Sequence, residues 1–150
     1  MVRPKKHLGQ HFLRDENIAR KIVSYLNPEY PLVLEIGPGM GVLSKYILDN
    51  PLFDLYFMEV DRESVAYMNE TYPQISNRLI LADFLTYDLT TFPPIPESGD
   101  NEQVEFQGDR SKFTVIGNFP YNISSQILFK ALENRERIPE VIGMFQKEVA

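Results

Sequence analysis

The sequence contains no cysteine and only two histidines, His7 and His11. That excludes disulfides and thiolate metal sites, and two imidazoles argue against a zinc centre. It also lacks any apolar run near the roughly 18 residues that span a bilayer, and its N-terminus has no signal-peptide core. The expectation is a cytoplasmic protein without a membrane or metal partner. Positive charge is scarce as well. Lys and Arg number 15 against 21 Asp and Glu, a net charge of −6, whereas binding a phosphate backbone draws on basic surface. The shortage is uneven. Residues 1–25 hold Arg3, Lys5, Lys6, Arg14, Arg20 and Lys21 against Asp15 and Glu16, so that segment is +4 and the rest is −10. A basic arm on an acidic body can still meet a nucleic-acid backbone.

What is present is the patterning of one globular domain of 150 residues, long enough for a single core. Asp15 is placed to cap a helix running from Glu16 to Leu26, with Ile18, Ile22, Val23 and Leu26 on one face. Leu32–Ile36 reads as a buried strand. Met40–Leu48 reads as a helix stopped by Asn50-Pro51. The alternation then repeats. Leu55–Val60 is a strand, and Arg62–Tyr72 a helix with Val65, Met68 and Tyr72 inward. Arg78–Ala82 and Lys112–Ile116 are further strands. A helix from about Ser124 to Asn134 turns Ile127, Leu128, Ala131 and Leu132 inward, and Val141–Gln146 is a fifth strand. Strands alternating with helices predict a doubly wound α/β domain with a mostly parallel sheet.

Residues 93–111 break the rhythm. Three prolines open the stretch, acidic and small polar residues fill it, and no period is visible, so it reads as a mobile surface loop. The chain stops at Gln146-Lys147-Glu148-Val149-Ala150, directly after a strand. A sheet ending there would expose a hydrophobic edge, so the sequence reads as a fragment truncated after its fifth strand.

Two motifs carry the chemistry. The first is Glu35-Ile36-Gly37-Pro38-Gly39-Met40-Gly41, between the first strand and the next helix. Glycines there permit positive φ and let the backbone approach a ligand at the carboxyl ends of the strands. Glu59, about twenty residues on, is placed to accept hydrogen bonds from ribose hydroxyls. Asp83 can accept from a cofactor adenine amine, with Phe84 lying against its ring. Turn glycines and capping acids of any α/β protein would look similar one at a time. The G-x-G-x-G spacing differs from the G-x-G-x-x-G of dinucleotide folds, and acids at three successive strand ends (Glu35, Glu59, Asp83) favour a nucleoside-like cofactor.

The second motif is Asn118-Phe119-Pro120-Tyr121. Adenine's exocyclic amine is a poor nucleophile because its lone pair is delocalised into the ring. The Asn118 amide oxygen and the carbonyl of Phe119 or Pro120 can hold its two N–H groups, while Tyr121 stacks on the base. Proximity and orientation then supply most of the rate. Together the motifs predict an S-adenosylmethionine-dependent methyltransferase acting on adenine. The same grip suits DNA adenine or a protein amide. An NAD-dependent oxidoreductase is disfavoured by the glycine spacing and by the lack of a Tyr-x-x-x-Lys pair.

At these residues the chain resembles the KsgA-type ribosomal RNA adenine dimethyltransferases, relatives of the Erm methylases. The resemblance rests on Lys6-His7-Leu8-Gly9-Gln10-His11-Phe12-Leu13, Glu35-Ile36-Gly37-Pro38-Gly39, Glu59-Val60-Asp61, Asp83, Gly117-Asn118-Phe119-Pro120-Tyr121-Asn122-Ile123-Ser124 and Gln146-Lys147-Glu148-Val149-Ala150. It implies a Rossmann-like class I methyltransferase fold over residues 15–150, preceded by a basic arm, 1–14, that covers the cofactor through His11 and Leu13. Gly37 would line the amino-acid end of S-adenosylmethionine, Glu59 bind its ribose, Asp83 its adenine, and Asn118 both cofactor and target amine. Pro120 and Tyr121 would complete the catalytic motif. The implied substrate is a pair of adjacent adenosines in a hairpin near the 3′ end of small-subunit rRNA, within the assembling small ribosomal subunit. A non-catalytic RNA-binding module for ribosome assembly is the alternative on the same fold. The family's usual Asn-Leu-Pro-Tyr is Asn-Phe-Pro-Tyr here, and the family continues past residue 150 with further strands, a second base-stacking aromatic and a helical domain.

Overall fold

A computed structural model describes residues 15–94 and 110–145. The basic arm with His11 and Leu13, most of the acidic loop and the last five residues lie outside that range. Helix α1 (Glu16–Ser24) leads to strand β1 (Leu32–Ile36), helix α2 (Ser44–Leu48), strand β2 (Asp54–Glu59), helix α3 (Arg62–Thr71) and strand β3 (Leu79–Leu81). Strand β4 (Thr114–Phe119), helix α4 (Ser124–Glu133) and strand β5 (Glu140–Phe145) follow. All four strand pairings are parallel, in the order β3-β2-β1-β4-β5. The expected doubly wound sheet is present.

Two of the helices begin on an aspartate cap. Asp15 accepts the N–H groups of Asn17 and Ile18, and Asp61 accepts that of Ser64, so α1 and α3 start on capped amides. Residues of β1 are buried on both sides, which requires apolar side chains facing both ways. Leu32, Leu34 and Ile36 join Tyr56, Met58 and Val115 in a core roofed by Ile127 and Ala131 of α4. Val33, with Leu55, Phe57 and Ile116, meets Ala19 and Ile22 of α1, Ile47 of α2 and Met68 of α3 on the opposite face. Burying one such side chain contributes about 1.5–3 kcal/mol, so the helices are held by these two faces rather than by intrinsic propensity.

Several boundaries and faces differ from the sequence reading. Helix α2 begins at Ser44 rather than Met40, because Gly41 has φ +83° and the preceding residues are drawn into the glycine turn. Strand β4 runs on through Phe119 rather than stopping at Ile116, so Asn118 lies within the strand end. In α3 the buried positions are Ser64 and Met68, with Val65 and Tyr72 half-buried. In α4, Leu128 and Leu132 face outward with Phe129, and Ile18 of α1 is exposed too. A helix resting on a single sheet face buries one narrow stripe, here Ile127 and Ala131, and residues one position round the helix fall outside it.

Candidate active site

The site forms where the strand order reverses, between β1 and β4. Chain order runs outward from β1 through β2 to β3 on one side and through β4 to β5 on the other. Ile36 pairs with Gly117 in the β1–β4 register, so Gly37, where β1 ends, lies level with Asn118, near the end of β4. That crevice is where doubly wound folds place ligands.

On the β1 side, Gly37, Gly39 and Gly41 all have positive φ, at +67°, +57° and +83°. They serve different ends. A Cβ on Gly41 would press on Met68 and the Tyr72 ring at 3.2 Å, so this glycine permits helix packing. A Cβ on Gly37 would meet nothing within 4 Å, so the backbone there borders open space that a ligand can fill. Behind the turn, Glu35 is fully buried and its Oε1 accepts a 2.5 Å bond from Ser44 Oγ, tying the end of β1 to the start of α2. Burial pushes the Glu35 carboxyl up to about 8, the Ser44 bond opposes the rise, and the neighbouring Glu59 charge adds to it. Glu35 thus braces the turn from beneath.

Glu59 closes β2. Its Oε1 accepts the Gly39 N–H at 3.2 Å and its Oε2 the Asp61 N–H at 3.0 Å, which aims the carboxylate across the turn. Burial raises its pKa, and the backbone N–H groups of Asp61, Gly39 and Val60 pull against that rise. Asp61 is occupied in capping α3 through Ser64. Neither Glu35 nor Glu59 forms an ion pair among the described residues. A buried acid held by backbone amides and left without a cation among those residues, as Glu59 is, suits a ligand that brings hydroxyl donors.

Beyond Glu59 lies a cleft of about 180 Å³ lined by Val60, Arg62, Leu81, Ala82 and Asp83. Val60 and Leu81 are 47% and 44% exposed, an apolar surface beside a carboxylate. A flat base with an exocyclic amine fits that combination. Asp83 is exposed, and its Oδ1 accepts the Leu85 N–H at 3.0 Å. Phe84 does not lie against this cleft as the sequence reading expected. It is buried in the core, because the Asp83 turn directs the next side chain beneath the sheet edge. The apolar wall comes instead from Val60 and Leu81. Sequence reasoning missed both, although strand-end positions flanking Glu59 and Asp83 were the signal that could have found them.

On the β4 side, Asn118 is half-buried and pairs in register with Met144 of β5. Phe119 is fully buried, and its ring lies over Gly117 and Gly143 on adjacent strands. A Cβ on Gly143 would collide with the Gly117 carbonyl and that ring, so Phe119 is seated on a platform only glycine allows. The Pro120 carbonyl accepts the N–H groups of Ile123 and Ser124, at 3.1 and 3.0 Å, opening α4. Those two bonds make the Pro120 carbonyl part of the helix start. Tyr121 is 41% exposed at the rim, where its ring can meet a base. Gly37, Glu59, Asp83, Asn118, Pro120 and Tyr121 therefore share one edge of the sheet. No group of three or more metal-ligating side chains occurs among the described residues.

Comparison with known proteins gives a consistent picture. The sequence profile of the family described as Ribosomal RNA adenine dimethylase matches residues 1–150. Ribosomal RNA small subunit methyltransferase A of Cytophaga hutchinsonii is 49% identical over 151 residues, covering 99% of this chain and 52% of that protein. Its counterpart in Flavobacterium johnsoniae is 51% identical over 150 residues, covering 99% and 51%. The chain thus spans about half the length of these relatives. Among solved structures, the 23S rRNA methyltransferase ErmE is 28% identical with a TM-score of 0.57, over 82% of this chain and 43% of that one. A dimethyladenosine transferase from Plasmodium falciparum is 25% identical with a TM-score of 0.58, over 91% and 43%.

Proposed function

Given that the chain belongs to the ribosomal RNA adenine dimethylase family, we propose that it is the cofactor-binding portion of an enzyme that dimethylates adenosines of small-subunit rRNA. The observation that supports this is the β1–β4 register, which brings residue Asn118 alongside Gly37, where the backbone borders open space. The substrate in this reading is a pair of adjacent adenosines in a hairpin near the rRNA 3′ end, met in the cytoplasm on the assembling small subunit.

Bound S-adenosylmethionine would supply an electrophilic methyl group on a sulfonium. Gly37 would border its amino-acid end, Glu59 would accept from its ribose hydroxyls, and Asp83 would accept from its adenine amine above the Val60–Leu81 wall. His11 and Leu13 would cover it. On the substrate side, Asn118 Oδ1 and the Phe119 carbonyl hold the two N–H groups of the target amine and turn its lone pair toward the methyl group. Tyr121 stacks on the base, which has left its helix or loop. Forming the N–C bond would break the sulfonium's S–CH3 bond and leave the neutral thioether S-adenosylhomocysteine, while one amine proton would pass to solvent. The chain contributes orientation and a site of matched charge rather than a strong base.

The test begins with calorimetric titration of the chain with S-adenosylmethionine, with NAD in parallel. Saturable binding of the former alone supports the reading, and NAD binding or no binding by the folded chain overturns it. In the enzyme containing this chain, Asn118→Ala should lower methyl transfer to small-subunit rRNA at least about a hundredfold while cofactor affinity changes about threefold or less. Equal loss of both would make Asn118 a pocket-building residue and remove it from the chemistry.

A further inference from the structure

Lys130 lies on α4, away from every motif so far described, yet it reaches the loop that carries Asp83. Its Nζ donates to the Phe84 carbonyl and, at 2.6 Å, to the Tyr87 carbonyl, and it lies 5.1 Å from the centre of the Phe84 ring. The loop is a tight turn in its own right. The Asp83 carbonyl accepts the N–H groups of Thr86 and Tyr87, at 3.1 and 2.9 Å, and the Asp83 carboxylate accepts that of Leu85. Those bonds shape the turn but do not attach it to the rest of the molecule. Phe84 attaches it from below through the core, and Lys130 attaches it from the side through two charge-assisted bonds.

We propose that Lys130 is a positioning residue for the base end of the cofactor, holding the 83–87 turn so that Asp83 faces the cleft beside Val60 and Leu81. This rests on the reading of that cleft as an adenine site. It also gives α4 a second task. The helix starts at Ser124 on the Pro120 carbonyl, directly after the motif that grips the target amine. One rigid element therefore joins the turn that recognises the cofactor's base to the strand end that recognises the substrate's base. Lysine suits the task because one ammonium offers three donors on a stem long enough to span from helix to loop. Burial weakens its charge, while Asp83, Asp88 and Glu133 support it.

The bond that depends on this placement is the one from an adenine amine to Asp83, and hypoxanthine carries a carbonyl there instead. The experiment compares S-adenosylhomocysteine with S-inosylhomocysteine by calorimetry. Parent chain should prefer the adenine compound by about tenfold or more, because a carboxylate facing a carbonyl loses its hydrogen bond and gains repulsion. Lys130→Met should narrow that preference to about threefold or less, and Lys130→Arg should restore it, since a guanidinium can still donate to two carbonyls. A general loss of stability would weaken both ligands alike and leave their ratio unchanged. An unchanged ratio in folded Lys130→Met overturns the proposal. If that variant does not fold, Lys130→Gln carries the same test, with a narrowed ratio expected and an unchanged one fatal. A parent chain that binds both compounds equally overturns the adenine reading itself, and this proposal with it.

Discussion

Asp54 and Glu59 are buried acids at opposite ends of β2, and their surroundings differ in kind. Asp54, at the strand's amino end, is held by two guanidinium groups. Arg78 bonds one oxygen, and Arg110 bonds the other at 2.7 Å while also donating to Tyr56 Oη at 3.1 Å. Both arginines lie near the Tyr56 ring, at 4.7 and 6.0 Å from its centre. Glu59, at the carboxyl end, is met by the N–H groups of Gly39 and Asp61. The first arrangement neutralises a buried charge with side-chain cations and ties Arg110, ahead of β4, to the start of β2. The second leaves a buried acid poised with raised pKa, together with Glu35 on the neighbouring strand. In the proposed reading Glu59 meets a cationic, hydroxyl-bearing ligand, a task for which an acid already matched to an arginine would be unsuited.

The widest test of that contrast is pH. Glu35 keeps its proton in the folded chain up to about 8, whereas in the unfolded chain it ionises near its ordinary value of 4.5. Between those values the folded state binds more protons, so stability falls as pH rises, by about 1.4 kcal/mol per pH unit at most, and levels off above the folded value. Glu59 shifts in the same direction and adds to the loss. Glu35→Gln keeps an acceptor for Ser44 and should flatten most of this slope in urea titrations across the window. A slope as steep as the parent's would show that Glu35 is not the buried acid responsible.

Next in size is Asp54→Ala, which strands two guanidinium groups. Their side chains keep 36% exposure, so the cost should be about 2–3 kcal/mol, below the 3–5 of a fully buried pair, with cofactor affinity little changed. Chemical denaturation and calorimetry read the two quantities separately. Glu59→Gln should do the reverse. Stability should fall by about 1–2 kcal/mol, since the new amide leaves one backbone N–H without an acceptor, while the larger effect is on S-adenosylmethionine affinity, which falls about ten- to a hundredfold. If Glu59→Gln unfolded the chain and Asp54→Ala abolished binding, the assignment of the two ends would be inverted. The smallest effect should come from Glu16→Gln. Its carboxylate bonds Lys45 and Tyr46 at the surface, and the melting temperature should not move measurably.

Alternating apolar periods were enough to place five strands and their helices, because burial on one or both faces imposes a period of two or of 3.6 on the chain itself. The glycine turn, Glu59, Asp83 and Asn118 were legible for a related reason. Each sits at a strand's carboxyl end, and strand ends can be counted. Leu128 and Leu132 were misplaced because period alone does not say how wide a stripe the neighbouring layer covers. Phe84 was misplaced because an aromatic beside a strand-end acid looks the same in sequence whether it points into the cleft or into the core.

Sequence by itself determined the α/β class, the order of the elements and the chemical types assembled at one sheet edge, since those follow from local spacing and residue identity. Tertiary structure alone decided which partner each polar group takes. Glu59's carboxylate went to the Gly39 amide, and Lys130 to the Phe84 and Tyr87 carbonyls of the turn behind Asp83. Hydrogen bonds are short-ranged and directional, so their pairing is set by distances between segments 20 to 46 residues apart, which no local pattern records.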